Sequence, residues 1–238
     1  MANRAKIVFV IVEGIADQTA LAVILSKLIK PELVVVEVFH GDITTDGYTT
    51  PQNIVSKLGN FVKGHGKPNS YKASDYMEVV HIVDTDGVFI SDDDVVFNNE
   101  RKQIFYKPDC IEARNRTGAI NRNHQKAANL RRLISLPKVC GSIPYSIYFF
   151  SCNLDHVLHN NANMPRNDKD KFAAQFAFRY RNDLDGFLSF IQGNDLATKC
   201  SYQESWDYIR NGNNSLKRHT NLNLYFSQEA KNIKRSLI

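Results

Sequence analysis

The sequence predicts an α/β fold, with a mostly parallel four-stranded sheet flanked by helices and a helical C-terminal elaboration. Apolar runs rich in β-branched residues recur in the first third of the chain, and such runs are typical of strands buried on both faces. Segments with apolar residues at helical spacing separate these runs, which gives the order β-α-β-α-β of a parallel sheet with right-handed crossovers. The 238 residues and 43% hydrophobic content are enough for a full core.

The first two strands and the helix between them have clear boundaries. Residues 7–12 are an unbroken apolar run that leads directly into Glu13 and a glycine. A helix is predicted over residues 18–30, because leucine and isoleucine recur at helical spacing after Asp17, a residue type that favours helix caps. Residues 33–39 are a second β-branched run and are predicted to form the second strand.

The middle of the chain continues the alternation and then becomes irregular. A helix is predicted over residues 51–63 and a third strand over residues 78–83. After a segment without regular periodicity, a short strand is predicted over residues 103–106 and a longer strand over residues 145–151. The remaining predicted helices cover residues 121–136, 168–178, 183–191 and 203–209. We therefore predict an α/β domain over residues 1–160 and a helical extension packed on it over residues 161–238.

Composition limits the functional classes. The formal net charge is +5, which is compatible with a polyanionic partner. The four cysteines are widely spaced and contain no CxxC pair, which fits neither a disulfide framework nor a zinc site. We therefore expect a reducing, cytoplasmic location. No stretch approaches the ~20 apolar residues that a membrane span requires, so we expect no membrane partner.

Acidic residues follow two of the predicted buried strands. Glu13 comes directly after the first strand, and Asp84 and Asp86 come directly after the third. Open α/β folds bind ligands at the carboxyl edge of the sheet, where these residues are expected. Carboxylates that converge there repel each other unless a cation neutralises them, and Mg²⁺ prefers one or two carboxylates with waters and phosphates. We predict that the three carboxylates share a divalent cation, Mg²⁺ or Mn²⁺.

These two motifs resemble those of the Toprim-domain family, which includes OLD, RloB-like and RNase M5-like nucleases. Val12-Glu13-Gly14 with Asp17 resembles the glutamate motif after the family's first strand, and Asp84-Thr85-Asp86-Gly87 resembles its Asp-x-Asp motif after the third. The resemblance implies a metal-dependent nuclease, with Glu13 as general acid/base or metal ligand and the two aspartates as Mg²⁺ ligands. It also associates the chain with phage defence.

A third segment is similar in outline to a motif of the RloB-like relatives. These proteins have a later strand followed by Asn-x-x-acid and an apolar helix that ends in histidine, and residues 151–159 here read SCNLDHVLH. The resemblance implies that Asp155 is a further metal ligand. The proline and aromatic residues usual at that place are missing from this chain.

Three alternatives use the same residues. Asp86-Gly87 between two apolar runs is also typical of a simple β-hairpin turn. The segment VDTDGVFI resembles the haloacid-dehalogenase motif, which implies a phosphatase with Asp84 as nucleophile and Asp86 as acid/base. That motif normally opens its fold, whereas two β-α units precede it here. The third alternative is a non-catalytic Toprim-like module that binds nucleic acid or regulates another protein.

Basic residues suggest where nucleic acid binds. Between residues 114 and 132 arginine, lysine and histidine accumulate without any acidic residue, and a shorter basic pair follows near the C-terminus. Cationic side chains contact phosphates, although a solvated helix face is an equally good interpretation. The residues predicted to contact nucleic acid are Arg114, Arg116, Arg122, Lys126, Arg131, Arg132, Lys217 and Arg218. A partner protein or a homodimer is also compatible with the sequence.

Overall fold

The computed structural model describes residues 6–29 and 34–227. These residues form α-helices and β-strands arranged in two sheets, which confirms the predicted α/β class. The predicted end of the first helix at residue 30, the start of the second strand at residue 33 and residues 228–238 of the predicted extension lie outside the described residues.

The larger sheet is mixed and has five strands, one more than the sequence predicted. In spatial order the strands are β2 (Val34–His40), β1 (Lys6–Val12), β3 (Tyr76–Asp84), β8 (Ile143–Phe150) and β7 (Lys138–Val139). β1 pairs in parallel with both β2 and β3, as the β-α-β-α-β pattern predicted. β7 pairs antiparallel with β8 and is only two residues long, which is too short to show a periodicity in the sequence.

The helices lie close to their predicted positions. They are α1 (Ile15–Leu28), α2 (Ile54–Gly66), α3 (Arg116–Ile134), α4 (Leu154–His159), α5 (Arg166–Tyr180), α6 (Leu184–Ile191) and α7 (Tyr202–Ile209). α1 begins three residues earlier than predicted. Asp17 caps it from inside the first turn, because its Oδ2 accepts a hydrogen bond from the Gly14 amide at 2.9 Å.

A second sheet of three short strands was not predicted as a unit. Its spatial order is β4 (Val95–Phe97), β6 (Ile111–Ala113) and β5 (Phe105–Tyr106). β4 pairs in parallel with β6, and β5 pairs antiparallel with β6. Only β5 was expected, within residues 103–106. Strands of two or three residues carry too few side chains to show an alternating pattern.

Residue contacts divide the chain into two compact units. Unit 1 consists of Met1–Ile82, His124–Ile147 and Asn167–Leu184, and unit 2 consists of Val83–Asn123, Tyr148–Arg166 and Asp185–Ile238. The helices after residue 160 are therefore shared, because most of α5 belongs to unit 1 whereas α7 and most of α6 belong to unit 2. The predicted boundary after residue 160 stays a prediction.

Each unit has its own apolar core. In unit 1 the six residues from Ile7 to Val12 are each at most 2% exposed, as expected for a strand covered on both faces. In unit 2 a cluster that includes Ile90, Val95, Ile111 and Leu216 is buried around the smaller sheet. None of the helices in the described part of the chain has the length and apolar character that crossing a membrane requires.

Candidate functional site

In unit 1 the carboxylate of Glu13 forms an ion pair with Lys126. Glu13 is the residue after β1, and its two carboxylate oxygens each lie 3.0 Å from the Lys126 ammonium nitrogen. The Thr44 hydroxyl oxygen lies 3.1 Å from Oε1 and 3.0 Å from Asp42 Oδ1, so its single proton is shared between the two carboxylates. The Lys126 side chain is 0% exposed and that of Glu13 is 10% exposed, so the pair is shielded from water. A buried charge needs such a partner, because desolvation without compensation costs several kcal/mol.

The position of Lys126 in α3 explains its burial. Ala127, Leu130 and Leu133 are buried on the same helix, so Lys126 belongs to the inward, apolar stripe. The alternative of a solvated helix face, which the sequence left open for this stretch, does not hold for Lys126, because its side chain is 0% exposed. Its predicted contact with nucleic acid stays a prediction, and in the structure Lys126 forms an ion pair with Glu13.

The loop after β2 completes this cluster, which we call the Glu13 cluster (Glu13, Asp42, Thr44 and Lys126). Asp42 Oδ1 accepts hydrogen bonds from the amide and hydroxyl of Thr44, each at 3.0 Å, and Asp42 also accepts one from Thr45. Partial desolvation opposes ionisation of Asp42, but Lys126 and the threonine hydrogen bonds outweigh it, so the pKa of Asp42 lies below its ordinary value. Asn129 donates to the Thr44 carbonyl at 2.9 Å and fixes the loop to α3.

His81 is a core residue of unit 1 rather than a member of this cluster. It lies in β3, is 0% exposed, and its Nδ1 is 2.9 Å from the Tyr145 hydroxyl. Its Nε2 is buried and has no hydrogen-bond partner within residues 6–29 and 34–227. Burial lowers the pKa of His81 to about 3, so the imidazole is neutral at pH 7.

In unit 2 the chain leaves β3 through a tight turn that carries both aspartates, Asp84-Thr85-Asp86-Gly87. Asp86 and Gly87 have φ of +50° and +64°, so both lie in the left-handed region. The turn is fixed by its backbone: the Asp86 amide donates to the Cys152 carbonyl at 2.6 Å and the Thr85 amide donates to the Phe150 carbonyl at 3.0 Å. A non-glycine residue in this region costs about 1–3 kcal/mol, and such strain is concentrated at functional sites.

Gly87 is required by its surroundings as well as by its φ. A Cβ atom at this position would lie 2.4 Å from Leu216 Cδ2 and 3.1 Å from Ile111 Cδ1, well inside contact distance. No other residue type fits at this conformation and spacing without displacing the core of unit 2. The positive φ and the close packing therefore explain why glycine follows the two aspartates in the sequence.

The carboxylate of Asp84 contacts the start of α4. Its Oδ1 accepts a hydrogen bond from the Leu154 amide at 2.9 Å. Asp155, the next residue and the third predicted acidic ligand, is 4% exposed in the first turn of the same helix. Asn153 caps this helix by accepting from the His156 amide at 2.9 Å. Unit 2 therefore brings Asp84 close to the segment that carries Asp155.

The carboxylate of Asp86 contacts a tyrosine, which an arginine holds in turn. The Tyr106 hydroxyl donates to Asp86 Oδ1 at 3.0 Å. Arg122 donates to the Tyr106 hydroxyl at 3.2 Å and to the Asp86 carbonyl at 3.0 Å. Burial and the nearby Asp86 raise the pKa of Tyr106 well above its usual value, so the hydroxyl stays protonated and remains a donor.

The alternative of a simple hairpin at Asp86-Gly87 is wrong. In a hairpin the next strand would pair with β3, but β4 belongs to the smaller sheet and pairs there with β6. Residues 85–90 instead form consecutive turns, in which the Val88 amide donates to the Thr85 carbonyl at 3.0 Å and the Ile90 amide to the Gly87 carbonyl at 3.3 Å. The two acids therefore lie in a turn that is not part of a two-stranded ribbon.

The donor set of the Asp84–Gly87 turn fits a hard divalent cation. Carboxylate oxygens are what Mg²⁺ prefers, and it usually takes one or two of them and completes its shell with waters and substrate phosphates. Within residues 6–29 and 34–227, no group of three or more His, Cys, Asp or Glu side chains is arranged to hold a metal. Glu13 belongs to unit 1 and the aspartates belong to unit 2, so a shared ion stays a prediction.

The remaining predicted nucleic-acid residues differ in exposure. Arg114, Arg131, Arg132 and Lys217 are exposed. Arg114 also lines an open depression of about 500 Å³ in unit 2, together with Arg101 and Lys102. The partly buried arginines, in contrast, donate to backbone carbonyls. These are Arg116 to Val95 and Asp92, Arg218 to His156 and Val157, and Arg122 to Asp86.

Two residues of these clusters were missed from the sequence. Asp42 lies just after β2, as Glu13 lies just after β1, so its position at a strand end was a signal present in the sequence. Tyr106 had no signal, because its contact with Asp86 joins residues 20 positions apart through an irregular segment.

All four cysteines lie in the described residues and form no disulfide. Comparisons of the chain with protein-family models, with curated proteins and with solved structures found no match.

Proposed function

We propose that this chain is a Toprim-like, Mg²⁺-dependent enzyme that cleaves phosphodiester bonds in nucleic acid, and that Mn²⁺ can replace Mg²⁺. The observation that carries the proposal is the strained turn after β3, which holds Asp84 and Asp86 in a conformation fixed by backbone hydrogen bonds and by Gly87. Strain that the surrounding structure maintains in this way is typical of residues that bind or react. A reducing cytoplasm and a place in phage defence remain predictions from the sequence.

Each residue of the turn has a defined part in the proposal. Asp84 and Asp86 would hold the ion, which when bound supplies a Lewis acid for the phosphoryl oxygens and lowers the pKa of a bound water. Tyr106 orients the Asp86 carboxylate through its hydrogen bond, and Arg122 fixes Tyr106. Asp155, buried next to the Leu154 amide that binds Asp84, is the further carboxylate that the sequence predicted for this site.

In this proposal Glu13 acts as a base or a metal ligand and not as a general acid. A neighbouring buried ammonium favours a carboxylate over a carboxylic acid, so the Lys126 contact favours a base or a metal ligand over a general acid. Its participation with Asp84 and Asp86 in one centre stays a prediction, which the variant Glu13→Gln tests below.

The basic surface supports nucleic acid as the substrate. The chain has a net charge of +5, and the depression in unit 2 exposes Lys102 and Arg114 to solvent, whereas Arg101, which also lines it, forms an ion pair with Glu112. Arg101 also stacks on Phe105, with its guanidinium carbon 3.8 Å from the ring centre. Positive surface and aromatic rings together are typical of proteins that bind nucleic-acid backbones and bases.

Cleavage of labelled single- and double-stranded DNA and of RNA, with Mg²⁺, Mn²⁺ or EDTA, tests the proposal. We expect metal-dependent products that Asp84→Asn and Asp86→Asn each reduce by at least about 100-fold. Asp170→Asn is the matched control, because it makes the same change at an exposed position of α5 and should leave cleavage unchanged. If unit 1 supplies a catalytic carboxylate, Glu13→Gln should reduce cleavage to a similar extent under conditions in which its circular dichroism spectrum matches that of the folded wild type, because the change also removes one partner of the buried ion pair with Lys126.

Two results would exclude the proposal in favour of the alternatives. Salt-sensitive binding of nucleic acid without cleavage, unaffected by Asp84→Asn, would indicate a non-catalytic module. Hydrolysis of small phosphate monoesters such as p-nitrophenyl phosphate, with no cleavage of polynucleotides, would indicate the dehalogenase-like reaction.

A further inference from the structure

Unit 2 contains a cavity, open to solvent on one side, that the proposed reaction does not use. Its volume is about 410 Å³, and residues 106–108, 160–163 and 216–218 line it together with His156. The volume falls within the range of about 300–1,000 Å³ that is usual for small-molecule sites. All of these residues belong to unit 2, so the cavity is a feature of that unit alone.

The cavity is positively charged. Lys107, Lys217 and Arg218 line it, and none of its lining residues is Asp or Glu. Lys217 is exposed and donates to the neutral side chain of Asn214 at 2.9 Å, which leaves its charge uncompensated by that contact. Lys107 pairs with Glu112, which is not a lining residue, and an ammonium group has three donors. A cavity of this charge selects an anionic ligand.

Hydrogen bonds fix the walls of the cavity in place. Arg218 donates to the carbonyls of His156 and Val157 in α4 at 2.7 to 3.0 Å. The Asn163 side chain accepts from the Tyr106 amide at 2.8 Å and donates to the Tyr106 carbonyl at 2.7 Å, so it joins the loop after α4 to β5. A site whose walls are already ordered loses little entropy when a ligand binds.

The loop after α4 supplies amide groups to the cavity. Asn160 ends α4 in the left-handed conformation, with φ +56°, and Asn161 accepts a hydrogen bond from the Asn163 amide at 3.1 Å. The Asn160 side chain and the Asn161 Nδ2 have no hydrogen-bond partner among the described residues. An amide group both donates and accepts, so it can pair with the edge of a heterocyclic base.

We propose that this cavity binds one nucleotide of the nucleic-acid substrate. Its phosphate would contact Lys107, Lys217 and Arg218, and its base would contact the amides of Asn160 and Asn161. The inference rests on the proposed function, and Tyr106 connects the two sites, because it lines the cavity while its hydroxyl binds Asp86. A base held in a cavity is not paired in a duplex. The substrate is therefore single-stranded, or has an unpaired end, at this nucleotide.

Isothermal titration of the Asp84→Asn variant in EDTA tests this inference without metal or cleavage. The probes are the nucleoside 5′-monophosphates AMP, CMP, GMP and UMP, with ribose 5-phosphate and inorganic phosphate for comparison. We expect at least one monophosphate to bind more tightly than both comparison compounds. Adding Lys217→Gln should weaken its binding by about tenfold or more, since one charge-assisted contact is lost. Adding Lys171→Gln, the same change at an exposed position of α5, should have no effect.

The possible outcomes separate the two proposals. The nucleotide site would be overturned by no binding of any monophosphate, by binding no tighter than that of inorganic phosphate or ribose 5-phosphate, or by binding that Lys217→Gln leaves unchanged. Lys217 is exposed, so we expect this variant to melt like the parent protein and its loss of binding to be local. Absence of metal-dependent cleavage by the wild-type chain would overturn the proposed function, but the binding measurement would remain valid.

Discussion

The two units fix their acidic residues at strand ends by different means. In unit 1 Glu13 is held by charge, because a fully buried ammonium lies 3.0 Å from both of its carboxylate oxygens. In unit 2 the backbone of Asp86 is fixed in a left-handed conformation, and its carboxylate accepts a hydrogen bond from the neutral hydroxyl of Tyr106. Arg122 binds the carbonyl of Asp86 and the hydroxyl of Tyr106.

This difference indicates which changes each cluster tolerates. An ion pair in a dry environment depends on the presence of both charges, so removing one partner costs far more than a surface pair would. A strained turn depends on close packing and on a glycine, so added volume is the damaging change. The predictions below use this contrast between charge in unit 1 and backbone geometry in unit 2.

The largest effect is expected for Lys126→Met in unit 1. Methionine is similar in length but uncharged, so the buried Glu13 carboxylate would lose the ammonium that lies 3.0 Å from both of its oxygens. We expect the free energy of unfolding to fall by about 3–5 kcal/mol, measured by urea denaturation.

Two further variants show whether charge is the cause. Adding Glu13→Gln to Lys126→Met should recover part of the lost stability, because the unpaired charge is then removed as well. Lys171→Met makes the same change at an exposed position of α5 and should alter stability by less than about 0.5 kcal/mol. A loss below about 1 kcal/mol in Lys126→Met would contradict the ion-pair account of unit 1.

Gly87→Ala is expected to have the next largest effect, in unit 2. Alanine at φ +64° is strained, and its Cβ would lie 2.4 Å from Leu216. Together these terms predict a loss of about 2–4 kcal/mol in denaturation. Gly212→Ala is the control, because Gly212 has φ +52° but nothing within 4 Å of the added atom, so it should lose only about 1–2 kcal/mol. Equal losses would show that close packing does not matter at Gly87.

The response to acid tests the buried histidine of unit 1. The pKa of His81 is about 3 in the folded protein and about 6.5 when the chain is unfolded. Between these values the unfolded state binds a proton that the folded state does not, so stability falls as the pH is lowered. His81→Gln should remove up to about 1.4 kcal/mol per pH unit from the slope of stability against pH between 6 and 4.

His156 provides the comparison in unit 2. Burial and the nearby Arg218 lower the pKa of His156 to about 4, but this residue is partly exposed. His156→Gln should therefore change the same slope in the same direction by less than His81→Gln does. If His81→Gln and the wild type have parallel stability curves over this range, His81 is not a neutral buried group.

The fold was largely predictable where the local pattern and the final packing agree. Residues 7–12 are all apolar, and in the structure both faces of β1 are buried. Burial of both faces therefore explains why the strand could be recognised from its apolar sequence. β4 and β6 show the opposite case, since Val95 pairs with Ile111 across an irregular segment and each strand has only three residues. Strands this short are stabilised by the strands they pair with, and their own sequences show no alternating pattern.

The positions of the three acids at strand ends could be predicted from the sequence, but the residues that contact them could not, and their role as a site stays a prediction. Strand ends identified Glu13, Asp84 and Asp86, because a carboxylate after a buried strand is visible in the sequence. Lys126 was assigned by its charge alone, although its spacing to apolar residues of α3 already indicated the inward face. Tyr106 contacts Asp86 only through tertiary structure.

The smallest effect is expected for Tyr106→Phe, which removes only the hydroxyl between Asp86 and Arg122. The Asp86 carboxylate loses one donor and Arg122 loses one acceptor, while the strained backbone that positions the turn is unchanged. We expect a loss of about 1–2 kcal/mol in urea denaturation. Tyr208→Phe, which removes a partly exposed hydroxyl 3.0 Å from His219, should cost less than about 1 kcal/mol. A loss from Tyr106→Phe as large as that from Gly87→Ala would mean that side-chain contacts, rather than backbone geometry, hold Asp86, and the contrast between the two units would fail.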